Sequence, residues 1–211
     1  MQETVAYYLL QSKAIKIELS KPFTWASGWK SPIYCDNRKT LSYPEIRSLI
    51  RNRFVEMIGQ KFPEASLIAG VATGAIAQGV LVAEALSLPF VYVRSAPKHH
   101  GLENLIEGVL HPGARVVVVE DLVSTGGSSL SAVEAIRRAG GEVLGMVAIF
   151  TYGFPLAQTN FQKAGCPLFT LTDYNELIDK ALEMNYVQPD QIGTLKEWRK
   201  APERWMQESP L

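Results

Sequence analysis

Val116-Val117-Val118-Val119-Glu120-Asp121-Leu122-Val123-Ser124-Thr125-Gly126-Gly127-Ser128-Ser129 is the stretch that decides how this 211-residue chain folds. Four consecutive valines read as a strand, Arg115 to Val119, buried on both faces in a parallel sheet. Two carboxylates, Glu120 and Asp121, are expected at its end. A turn rich in hydroxyls and glycine then opens an amphipathic helix. Leu130, Val133 and Ile136 fall on one side of that helix, Glu134 and Arg138 stand four apart as an ion pair, and Gly140-Gly141 stops it. Free N–H groups and hydroxyls at a helix start bind an anion, most often phosphate. An acidic pair beside such a loop makes no sense for phosphate alone, because like charges repel. It suits a phosphorylated ribose, with the loop on the phosphate and Glu120 and Asp121 on the hydroxyls. The plainer alternative is a capped strand-turn-helix without a ligand. The loop lacks the terminal Gly-Lys-Ser/Thr of a nucleotide P-loop. Its acids precede its glycines, which excludes a dinucleotide fingerprint.

The pattern alternates outward from this stretch. Strands are expected at Leu67 to Ala69, Phe90 to Arg94, Val143 to Thr151 and Leu168 to Leu171. Helices are expected from the Gly70 to Gly74 loop to about Leu86, from about Pro155, around Leu177, Ile178 and Ala181, and from Pro189 to Arg199. Upstream, Thr4 to Lys13 reads as a short helix and Ile15, Ile17 and Leu19 as a strand. Ser42 and Glu45 form a capping box, with Pro44 in the first turn of a helix carrying Ile46, Leu49, Ile50, Phe54 and Met57. Strands alternating with helices predict an α/β fold, a mostly parallel sheet with helices on both faces. Ligands then bind at the carboxyl ends of the strands. The length fits a single domain, 1–211, with about 1–40 as a small N-terminal hood and about 41–211 as the α/β core.

Bulk properties narrow the function. With 21 basic and 21 acidic residues the formal charge is zero, which argues against a nucleic-acid binder. No apolar run approaches membrane-spanning length, and a polar helix follows Met1, so cytoplasm is the expected location and no membrane partner is expected. Cys35 and Cys166 read as buried thiols rather than a disulfide or metal site.

Three further segments carry chemistry. Gly70-Val71-Ala72-Thr73-Gly74 is a second glycine-rich turn between strand and helix, where backbone N–H groups approach a ligand closely. Two such loops on one sheet edge suit a ligand phosphorylated at both ends. Arg94, Lys98, His99 and His100 cluster in a polar loop bracketed by Pro97, Gly101 and Gly108, and can neutralise a polyphosphate. Phe23 to Asp36 is dense in aromatics. Phe23, Trp25 and Tyr34 either cover a planar ring or, the better reading of the residues alone, belong to the core.

Taken together, these motifs resemble a known family. The aliphatic strand, two acids and Thr-Gly-Gly loop are similar to the phosphoribosyl-diphosphate (PRPP) fingerprint of type I phosphoribosyltransferases. Phe23-Thr24-Trp25-Ala26-Ser27-Gly28, followed by Lys30-Ser31-Pro32-Ile33-Tyr34-Cys35-Asp36, resembles the N-terminal signature of the orotate phosphoribosyltransferases. Arg94, Lys98, His100 and Gly101 resemble their mobile catalytic loop. The resemblance implies a type I phosphoribosyltransferase-like fold and transfer of phosphoribose from PRPP to orotate, giving orotidine 5′-monophosphate and diphosphate. It implies Mg²⁺ as cofactor, held mainly by PRPP with Glu120 or Asp121 assisting, and a homodimer whose catalytic loop serves the neighbouring subunit. Lys98, His100, Glu120 and Asp121 would be catalytic. PRPP would be bound by Arg94, Lys98, His100, Thr73, Gly74 and the run Glu120, Asp121, Leu122, Val123, Ser124, Thr125, Gly126, Gly127 and Ser128. Orotate would be bound by Ser124, Lys30, Ile33 and Tyr34, with backbone N–H groups around Lys30 to Tyr34 contributing. Lysines found in some members at the positions of Ala26 and Gly74, and an arginine at that of Tyr152, are absent here. The alternatives are transfer to a purine base, or a regulator that senses PRPP.

Overall fold

The structure, a computed structural model, describes residues 2–25, 27–94 and 105–206. The elements run α1 (Gln2–Gln11), β1 (Ile15–Ile17), β2 (Phe23–Thr24), β3 (Lys30–Ser31), β4 (Ile33–Cys35), α2 (Pro44–Lys61), β5 (Leu67–Val71), α3 (Ile76–Leu86), β6 (Phe90–Val93) and β7 (Ile106–Glu107). They continue with β8 (Arg115–Val123), α4 (Gly127–Arg138), β9 (Glu142–Thr151), α5 (Pro155–Lys163), β10 (Leu168–Asp173), α6 (Tyr174–Glu183) and α7 (Ile192–Lys200). Short 3-10 turns cover Asn37–Ser42 and Pro189–Gln191.

The main sheet has the order β10-β9-β8-β5-β6-β7, parallel except for the antiparallel β6–β7 edge pair. The mostly parallel α/β expectation holds. The valine run explains why. Val117 and Val119 pack into the core under α1, α2, α3 and α6, whereas Val116 and Val118 pack into the second core with α4 and α5. A strand whose two faces are both covered has no use for a polar alternate position. From β5 the chain moves outward to β6, and from the adjacent β8 it moves the other way to β9 and β10. The loops after β5 and β8 therefore diverge, and a crevice opens between them at the carboxyl edge.

The N-terminal segment, expected as a hood, holds two small antiparallel sheets, β1 with β4 and β2 with β3. α1 buries Val5, Ala6, Leu9 and Leu10. An aromatic cluster joins the hood to the C-terminal helices. Trp25, Tyr152, Phe154, Tyr174 and Trp198 stack, tilt or meet edge-on at 5.0–5.7 Å. The indole N–H of Trp198 donates to the Lys30 carbonyl at 3.1 Å, and that of Trp25 donates to the Ile33 carbonyl at 3.1 Å.

Several local expectations are corrected. β8 does not stop at Val119. It continues to Val123 because β9 is long enough to pair with it, Glu120 opposite Ala148 and Val123 opposite Thr151. Glu134 pairs with Arg137 rather than Arg138, since Arg137 is drawn to the Ala164 and Gly165 carbonyls. Ser42 forms no capping box. The 3-10 turn absorbs it, and Tyr43 starts α2 with no side-chain cap. Leu19 lies outside β1, where Glu18 turns back to accept from the Ser20 N–H. β7 falls where only a polar loop was expected. Tyr34 is not core but exposed. Both cysteines are free, as expected, and burial pushes the Cys166 thiol up to about 11.

Candidate active site

The crevice is a cleft of about 560 Å³ at the carboxyl ends of β5, β6 and β8. Its floor is the acidic pair. Glu120 is buried because it still lies in the ladder of β8. Its carboxylate is held at both oxygens, Oε1 accepting from the Asp121 N–H at 3.0 Å and Oε2 from the Ser129 hydroxyl at 2.8 Å. Burial, and next the charge of Asp121, push its pKa well above the usual carboxylate value. Asp121 leaves β8 on the opposite face of the pleat, but its carboxylate still meets that of Glu120. Its pKa is raised too, chiefly by burial, with the hydrogen bond to Glu120 and then the charge of Arg38 opposing. Glu120 is the more enclosed of the two, so a shared proton prefers it and the negative charge settles on Asp121.

The loop after β8 is built to present N–H groups. Gly126 takes φ +85° at the start of α4, and a Cβ there would meet the Phe161 ring at 2.7 Å, so only glycine fits. Asn160 donates to the Thr125 carbonyl at 2.9 Å, and Thr151 Oγ1 donates to the Val123 carbonyl at 3.1 Å. With its carbonyls held from behind, the loop leaves a helix N-terminus open toward the crevice. The loop after β5 lies opposite, where Gly74 packs against the Asp121 carboxylate.

Of the residues expected from the sequence, the cleft gathers Thr73, Gly74, Arg94, Glu120, Asp121, Leu122 and Ser128. Arg94 is placed by its backbone N–H to the Leu105 carbonyl at 2.8 Å and by Glu107, whose Oε1 lies 3.6 Å from Nη1. Ser124, Thr125, Gly126 and Gly127 form the adjoining loop without lining the cleft, and Val123 is buried beneath it. Lys30, Ile33 and Tyr34 do not line it either. The Lys30 ammonium donates to Thr24 Oγ1 at 3.0 Å. The Ile33 side chain is core, and its N–H is taken by Ser31 Oγ at 3.1 Å, so that N–H is not available to a base. Lys98, His100 and Ala26 lie outside the described residues. Tyr152 is buried in the aromatic cluster. Sequence reasoning missed Cys35, Asp36 and Arg38, which form another wall of the cleft. Their signal was present: Cys35 and Asp36 close the aromatic-rich run, and an amide and a base, Asn37 and Arg38, directly follow it.

The comparisons with known proteins converge on this geometry. Residues 38–166 match the phosphoribosyl transferase domain family. Over 201 residues the chain is 62% identical to an orotate phosphoribosyltransferase of Porphyromonas gingivalis, covering 95% of this chain and 96% of that one. The chain belongs to the orotate phosphoribosyltransferase family. It is 61% identical over 205 residues to the orotate phosphoribosyltransferase of Bacteroides fragilis, covering 97% of both. The crystal structure of an orotate phosphoribosyltransferase from Aeropyrum pernix superimposes with a TM-score of 0.74 at 28% identity, covering 87% of this chain and 99% of that one. The type I phosphoribosyltransferase fold of the family thus underlies the cleft. Among the described residues of this family member, no helix is long and apolar enough to cross a membrane.

Proposed function

We propose that the protein transfers the 5-phosphoribosyl group of PRPP to orotate, giving orotidine 5′-monophosphate and diphosphate in pyrimidine synthesis. One observation carries the reading: an acidic pair sits at the sheet's switch point, between the loops that follow β5 and β8, in a chain of this family. The loop at α4 suits the 5-phosphate, the loop at Gly74 suits the diphosphate, and the ribose spans the acids between them.

Transfer breaks the bond from C1 of the ribose to diphosphate as a ring nitrogen of orotate attacks. The transition state resembles the oxocarbenium ion of glycoside hydrolysis. Asp121 places negative charge beside the forming cation. Glu120, held at both oxygens, fixes the Asp121 backbone through its N–H. Arg94, with Lys98 and His100, opposes the charge that develops on the leaving oxygens. No nucleophilic side chain is required, since the base is the nucleophile. Ser124, Lys30 and Tyr34 are the orotate-facing candidates, and loop closure over the cleft would exclude water.

Mg²⁺ fits the donor chemistry of the cleft: Mg²⁺ commonly takes one or two carboxylates together with substrate phosphates. No cluster of three or more His, Cys, Asp or Glu residues among those described forms a protein-only cage. Asp121 would be the chief protein contact and Glu120 the lesser, and the ion would withdraw charge from the departing diphosphate. We further infer a cytoplasmic homodimer in which the Lys98–His100 loop acts on the neighbouring site.

The test is loss of orotate absorbance on mixing pure protein with PRPP and Mg²⁺. Consumption only when all are present supports the reading. Equal or faster turnover of hypoxanthine or adenine overturns it in favour of a purine-base enzyme, and no turnover of any base favours a PRPP sensor.

A further inference from the structure

We propose that Arg38 is a diphosphate-binding residue of this cleft, presented at the end away from the α4 loop by the turn that follows β4. The inference rests on the functional reading above. The turn is fastened to the catalytic strand through its first residue, Asn37. Asn37 is buried, and its Nδ2 donates to the Asp121 carbonyl at 2.6 Å across 84 residues of sequence. Its Oδ1 accepts from Cys35 Sγ at 3.3 Å, and its own carbonyl accepts from Thr40 Oγ1 at 2.6 Å. With Asn37 locked, its two neighbours are set on the wall of the cleft.

Those neighbours differ in a way that matters for an anionic ligand. Arg38 donates through Nε to Asp36 Oδ1 at 2.7 Å, its side chain 57% exposed against 18% for Asp36. With the Arg38 end this exposed, solvent screens the pair. Arg38 can therefore leave Asp36 for a multiply charged ligand at little cost. Its planar fork matches phosphate oxygens better than a point charge does.

The charge balance of the cleft calls for such a residue. Asp36, Glu120 and Asp121 line it, and among the described residues only Arg38, Arg94 and Arg138 oppose them there. Position selects the diphosphate rather than the 5-phosphate. Arg38 follows Asn37, which is bonded to the Asp121 carbonyl, and Gly74 packs against the Asp121 carboxylate, so Arg38 is tied to the acid that the β5 loop abuts.

The experiment is calorimetric titration of inorganic diphosphate and of ribose 5-phosphate, each with Mg²⁺, into the full chain and into Arg38→Gln and Arg38→Lys. Loss of one charge-assisted contact should weaken diphosphate by about tenfold in Arg38→Gln, with Arg38→Lys between. Ribose 5-phosphate affinity and Tm should stay unchanged, and KM for PRPP should rise in step. Unchanged diphosphate affinity overturns the proposal, as does an equal loss for both ligands. Failure of the unmodified protein to consume orotate while it binds diphosphate would count against the functional reading alone.

Discussion

The Asp121 carboxylate lies against the α-carbon of Gly74, so closely that a methyl group built on the glycine would overlap Oδ2. The first residue of one loop's exit thus sets the position of the acid on the neighbouring strand. Position 74 has no room for a side chain while Asp121 stays where it is.

Gly74→Ala should therefore displace the Asp121 carboxylate. A misplaced charge in the transition state costs on the order of tenfold or more in kcat. Steady-state kinetics against both substrates, with a Tm measurement to exclude unfolding, decide this. An unchanged kcat would show that Asp121 is not held in place by this contact.

Glu120 makes the protein's stability depend on pH. Its folded pKa is raised above the ordinary value of 4.5 by burial and by Asp121. The folded state therefore holds this proton more tightly than the unfolded state does. The stabilisation is complete below pH 4.5 and is lost as pH rises through the folded pKa. Glu120→Gln, which cannot ionise, should gain Tm relative to the parent at pH 8 more than at pH 5. Equal differences at the two pH values would contradict the raised pKa.

The shared-site reading predicts complementation. Lys98→Ala should lose most activity with little change in stability, since a loop lysine buries little area. Asp121→Asn should lower kcat about tenfold or more. Mixing the two inactive variants would place both lesions in one site of a heterodimer and neither in the other. With random mixing about half of the dimers carry one intact site, so roughly a quarter of the parent activity should return. Confirmed heterodimers without recovered activity would mean that the loop acts within its own subunit.

Trp198 ties α7 to the hood. It is fully buried, contacts four aromatic neighbours and donates to the Lys30 carbonyl. Trp198→Ala should cost about 3–5 kcal/mol, the usual range for a large core aromatic. Urea unfolding would measure it, and a loss below about 1 kcal/mol would mean that the cluster collapses to fill the space.

The parts of this molecule that local rules govern were readable from the chain. The valine run of β8, the glycine stop of α4 and Pro44 at the start of α2 each carry their own cause. What escaped depends on distant partners. β8 runs on through Glu120 and Asp121 only because β9 supplies a ladder for it. Arg137 outcompetes Arg138 for Glu134 because two carbonyls after α5 hold it. The same holds in the site. Glu120 and Asp121 were visible as a pair, but Arg38 gains meaning only when Asn37 crosses to the Asp121 carbonyl. No spacing rule links residues that far apart.

The alternation of the Val116–Val119 run between the two cores gives the protein a pair of matched internal reporters. Val117 and Val118 are adjacent and chemically identical, yet one sits in each of the two cores. Their methyl resonances during gradual denaturation would register the two layers separately from a single strand. If they broaden together, the layers melt as one cooperative unit. If they part, the side that holds the α4 loop loosens independently of the side that carries the hood.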